Sequence, residues 1–152
     1  VPRFHLLLGA TGLVLAVAGT AARPADPAQD RPAQRSQPPA GEGVFCSMAI
    51  LSTMAEVGRR CLPGEDTAFQ TELAQAVAQI DAYVLRNSAL GADGIVRSKR
   101  EQSYLGAPEA SLCEGELPAV YRRFAESGAE RLRADTRQLL ARDGVPTWGD
   151  CF

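Results

Sequence analysis

Four cysteines, one histidine and a scatter of carboxylates are the residues of this 152-residue chain that could do chemistry. Cys46, Cys61, Cys113 and Cys151 lie far apart, and no C-x2-C pair occurs among them. Zinc sites built from cysteines use closely spaced pairs, so this spacing argues for disulfides instead of a metal. His5, the single histidine, falls in a segment that reads as a cleaved leader. A chain that has lost it can form neither a Ser-His-Asp triad nor a Cys-His dyad. No P-loop, G-x-G-x-x-G, G-x-S-x-G or EF-hand calcium loop is found. The expectation is therefore a protein without cofactor or metal.

Carboxylates are the remaining catalytic option, since glycoside hydrolysis needs one acid of raised pKa and a second carboxylate at a set distance. Glu56 is the candidate, because it lies on the most apolar helical stretch, where desolvation could raise its pKa. Glu72 and Asp81 follow on the next stretch. For each, a solvated helix edge is the plainer interpretation. The most compact basic group, Arg97, Lys99, Arg100 and Tyr104, could hold an anionic envelope component. Such a group is also what the outer face of a short helix looks like. Trp148, beside Asp150 and Cys151, reads as a contact residue or as cover for a disulfide.

These residues are carried by three regions of different composition. Residues 1–22 join Arg3 and His5 to an apolar run from Leu6 to Ala18 and a small-residue end, the pattern of a signal peptide. The run is shorter than the ~20 residues of a permanent span, so no membrane span is expected after cleavage. Residues 23–43 hold five of the ten prolines and no large apolar side chain. Such a stretch cannot offset its ordering entropy by burial, and it reads as a disordered, Pro-rich linker. Residues 44–152 carry all four cysteines, with twelve basic and fifteen acidic side chains, and form the folded domain. A net charge of -2 over the whole chain argues against a nucleic-acid binder, whose affinity comes from neutralising phosphates.

Helical periodicity runs through that domain. Met48, Ile50, Leu51, Met54 and Val57 fill one half-circle of a first helix over 46–60, with Ser52, Glu56, Arg59 and Arg60 outside it. A second helix starts at Thr67, where Thr67-Ala-Phe-Gln70 matches a capping box, and should end near Asn87. Residues 88–94 read as a loop, 95–105 as a short helix, and 109–113 as a single turn. A last long helix over about 117–142 carries Leu117, Val120, Tyr121, Phe124, Leu132 and Leu139 on one face, with Gly128 in the same stripe.

The expected architecture is all-α: a small up-and-down bundle of about four helices stapled by two disulfides. Helix length removes one of the three possible pairings. Cys46 and Cys61 at opposite ends of one helix stand about 22 Å apart at ~1.5 Å per residue, beyond the ~7 Å Cα separation a disulfide tolerates. Following the chain up and down brings Cys113 to Cys61 and Cys151 to Cys46. The functional expectation is a periplasmic or secreted binding module acting on a protein or envelope component. A carboxylate-dependent cell-envelope hydrolase and a self-associating structural bundle are the alternatives.

Overall fold

The computed structural model describes residues 38–151; the leader, most of the Pro-rich segment and Phe152 lie outside the described residues. Six helices follow one another, α1 (Val44–Cys61), α2 (Thr67–Asn87), α3 (Gly91–Gln102), α4 (Glu109–Cys113), α5 (Leu117–Ala125) and α6 (Ala129–Leu139), with no strand among the described residues. The all-α class and both disulfides hold: Cys46 to Cys151 with Cα atoms 5.5 Å apart, and Cys61 to Cys113 at 5.3 Å.

α1 is the hub, packing against α2, α3, α4 and α5. Val44, Met48, Leu51, Met54 and Val57 are buried as their spacing requires, but so are Ser47, Ser52, Thr53 and Gly58. A helix surrounded on several sides has no broad solvent face, so small residues occupy the positions where neighbours come closest. The expected half-circle is corrected at two places: Ser52 is inside and Ile50 is 42% exposed. Gly58 illustrates the tightness, because a Cβ there would lie 2.8 Å from the buried Tyr121 ring. Tyr121 and Phe124 meet Phe69 edge-on at 5.9 and 5.4 Å between centroids, joining α5 to α2.

The capping-box expectation is also revised. Thr67 opens α2 as its first helical residue, and Asp66 precedes it in a left-handed conformation without a side-chain cap. Gln70 turns away and donates to the carbonyls of Gly58, Leu62 and Glu65 at 3.2, 3.0 and 2.8 Å. It serves the end of α1, whose final carbonyls have no partner within their own helix.

The single long helix over 117–142 is two helices. α5 ends at Ala125, Gly128 takes φ 84 and ψ 155, and α6 begins at Ala129. That backbone region is essentially open only to glycine. The break passes the chain from one main neighbour to another: α5 packs chiefly on α1, reaching α2 through the Phe69 ring, whereas α6 packs on α2. Gly128 thus separates two packing partners. The third helix likewise begins four residues earlier than Ile95 and stops at Gln102, where Ser103 donates through its hydroxyl to the Lys99 carbonyl at 2.6 Å.

Residues 38–43, assigned to the linker on composition, are docked on residues 144–150. The Thr147 amide donates to the Gly41 carbonyl at 2.9 Å and the Phe45 amide to the Thr147 carbonyl at 3.1 Å. Gly41 and Gly43 have φ of 84 and 76, and a Cβ on either would run into the carbonyls of Val145 or Asp150. Proline content described this stretch poorly because two glycines let backbone pack on backbone without any apolar side chain.

Candidate functional site

The side chains singled out for chemistry are mostly engaged with one another. Glu56, on the last turns of α1, lies 3.0 Å from Arg59 and 3.5 Å from Arg60. Glu72 is only 2% exposed on α2, and its Oε2 accepts from Arg133 of α6 at Nε, 2.8 Å away, and at Nη2. Hydrogen bonding to Glu72, then the charges of Glu130 and Glu72, hold the Arg133 guanidinium above its ordinary pKa. Asp81 is paired with Lys99. Each candidate carboxylate is therefore bound to a cation, two of them between helices. Among the described residues, no group of three or more His, Cys, Asp or Glu side chains could hold a metal ion.

The basic group is divided by this pairing. Lys99 is 7% exposed and reaches back to Asp81, fixing α3 on α2, while Arg97, Arg100 and Tyr104 stay on the surface. Lys99 is thus engaged as an interhelix tie. Tyr104 lies beyond α3 with φ 57, in the turn that closes on the Ala107 amide. Within α3, Arg97, Lys99 and Arg100 therefore face two environments, as the 3.6-residue period requires.

A different region gathers exposed apolar side chains. The tail after α6 folds back as a strap along residues 38–46. Tyr83, buried in α2, donates its hydroxyl to the Arg142 carbonyl at 2.9 Å, with the Gly144 carbonyl 3.1 Å away. Asn87 donates to Asp143 at 3.2 Å, and Arg142 donates to the Pro38 carbonyl. Beyond this anchor come the two backbone hydrogen bonds and then the Cys46–Cys151 bridge. Trp148 is held against Phe45, with ring centroids 6.0 Å apart, and is still 50% exposed. Val145 is 72% exposed, and Ile50 lies one helical turn beyond Cys46 on the same face of α1. Glu42 beside Gly149, Asp143 and Asp150 give this end an acidic border.

Trp148 stood out in the sequence, as a contact residue or as cover for the last disulfide, whereas the exposure of Ile50 and Val145 was not legible. Ile50 fits a buried stripe by period, and Val145 stands between Gly144 and Pro146 with no period to judge it by. A cleft of about 430 Å³ also opens between the start of α2 and the α5–α6 break, lined by Asp66, Thr67, Phe69, Ala125, Gly128 and Ala129. Asp66 places a carboxylate beside the positive start of α2, where it suits the helix dipole without a ligand.

No helix among the described residues is long and apolar enough to cross a membrane. Comparison of the chain with protein-family models, with curated proteins and with solved structures found no match in any of the three.

Proposed function

We propose that the chain is an exported, disulfide-locked helical module that acts by docking on another protein through its strap end. Export is supported by the leader pattern and by two disulfides, which form and persist in oxidising compartments. The observation that carries the docking reading is Trp148, half exposed yet fixed by Phe45 and by the covalent closure three residues on. A pre-ordered tryptophan loses little entropy on binding, and tryptophan is enriched among the residues that dominate protein interfaces. Glu42, Asp143 and Asp150 outnumber Arg142 at this end and favour a protein whose apolar pocket is rimmed by Lys or Arg. It disfavours anionic lipid and nucleic acid. The hydrolase alternative is weakened because Glu56, Glu72 and Asp81 are all neutralised by neighbouring cations.

The test is capture from envelope extract by the immobilised, oxidised protein, compared with Trp148→Ala, Val145→Asp and an Arg97→Ala/Arg100→Ala control on α3. One protein retained by the wild type and the control, and lost with both strap variants, is the expected result. Capture indifferent to Trp148, or no capture at all, overturns the reading. So does turnover of cell-wall polymer that Glu56→Gln abolishes, or a multimer in light scattering without added partner.

A further inference from the structure

The two disulfides close the molecule in different settings. Cys61 and Cys113 are packed against the hydrophobic core cluster and join α1 to α4, which are themselves in contact. Cys46 joins the first turn of α1 to Cys151, in a tail without regular secondary structure. Between the Tyr83 anchor and Cys151, the strap is tied to residues 41–45 by two backbone hydrogen bonds and the Phe45–Trp148 contact. Val145, Thr147, Trp148, Gly149 and Asp150 are all exposed; Pro146 is buried. Gly41 and Gly43 also pack closely on the carbonyls of Val145 and Asp150, but two hydrogen bonds, one ring contact and this backbone packing bury little apolar surface against the backbone entropy of ordering residues 145–151.

We propose that the Cys46–Cys151 bond is a redox-operated latch, whose reduction frees residues 145–151 and disperses the Trp148 face while the helices and Cys61–Cys113 stay in place. The reductant is a dithiol, of the class carried by thiol–disulfide oxidoreductases. One thiolate attacks the Cys151 Sγ, the S–S bond breaks, and Cys46 leaves as a thiolate that takes a proton. The second thiol of the donor attacks the mixed disulfide and releases the Cys151 thiol. The donor ends as a disulfide, and two electrons and two protons have passed to Cys46 and Cys151. Release stops at the carbonyls of Arg142 and Gly144, which the buried Tyr83 hydroxyl holds from the core side. Control of docking by this latch rests on the binding reading above, but the latch itself does not.

Titration of the oxidised chain with dithiothreitol tests it without any partner. Thiols are alkylated and mapped by mass spectrometry, while far-ultraviolet circular dichroism and tryptophan emission are followed; Trp148 is the chain's single tryptophan. The expected result is labelling of Cys46 and Cys151 at about tenfold less reductant than Cys61 and Cys113, with red-shifted emission and unchanged helicity. The Cys46→Ser/Cys151→Ser double variant should show the shifted emission with no reductant present. Labelling of Cys61 and Cys113 first or together with the other pair, helicity lost with the first pair, or wild-type emission in the double variant overturns the latch. A latch that operates without altering capture by the Trp148 face would instead count against the docking reading.

Discussion

At one end of the molecule Cys61–Cys113 lies over a core that α1, α2, α4 and α5 already build; at the other, Cys46–Cys151 ties down a strap with few other contacts. Loop length alone ranks the second bridge as the more stabilising, since it spans 105 residues against 52. The surroundings reverse that ranking. Where neighbours are already fixed by packing, losing the bond exposes a core seam. Where the bond joins a strap outside the helices, losing it frees the strap from α1 and leaves the helix packing in place. A disulfide's contribution is thus set by what else holds its two ends as well as by the loop it closes.

Removing each bridge separately tests this contrast most directly. Cys61→Ala/Cys113→Ala should cost about 4 kcal/mol, and Cys46→Ala/Cys151→Ala about 2 kcal/mol. Both are read from urea midpoints at constant m-value, and equal losses would erase the distinction between the ends. Next in size is Gly58→Ala. Helix propensity alone predicts a gain of ~1 kcal/mol, but the Tyr121 ring occupies the place of the new methyl group, so a loss of about 1–3 kcal/mol is expected. A measured gain would mean that the core end is looser than its packing implies.

Tyr83→Phe should cost about 1 kcal/mol, by leaving the Arg142 and Gly144 carbonyls without their buried donor. Hydrogen exchange around 142–147 should rise with it, because the strap loses its anchor; protection unchanged there would show that the strap is held some other way.

The smallest effect concerns pH. Burial pushes the Tyr121 phenol above its ordinary value, and the charges of Asp66 and Glu65 push it the same way. A group whose folded pKa is raised gives stability that is complete below its unfolded value of ~10 and lost as pH climbs through the folded value. Tyr121→Phe should therefore flatten the alkaline fall in stability and leave the profile near neutrality unchanged. Thermal unfolding of both proteins between neutral and alkaline pH measures the difference.

Much of the fold was readable locally, and the misreadings share a cause. The stripe Phe69, Leu73, Ala76, Val77, Ile80, Tyr83 and Val84 marked α2 because each member lies within one turn of the next and all pack on one core, Val77 being half-buried at its edge. The period failed for α1 because that helix is enclosed on several sides, so burial there selects for size as well as for hydrophobicity. It failed at Gly128 because the stripe of Leu117, Tyr121, Phe124 and Leu132 continues in sequence while its two halves pack on different helices. The candidate site was less legible. Glu56 was placed correctly on an apolar helix, but its pairing with Arg59 and Arg60 followed from side-chain reach, which a one-letter pattern does not show.

The amino-acid order by itself determined an all-helical domain and the positions of α1 and α2, and it excluded a bridge between Cys46 and Cys61. Those depend on periodicity within a turn or two and on the rigid length of a helix, which no packing arrangement can alter. Only the tertiary structure decided that Glu72 meets Arg133, that Lys99 turns inward to Asp81, and that Trp148 remains outside on a tethered strap. Those outcomes depend on which helices come together across many residues of chain, and the free energy that selects them is shared over the whole interface. No single stretch of sequence carries it.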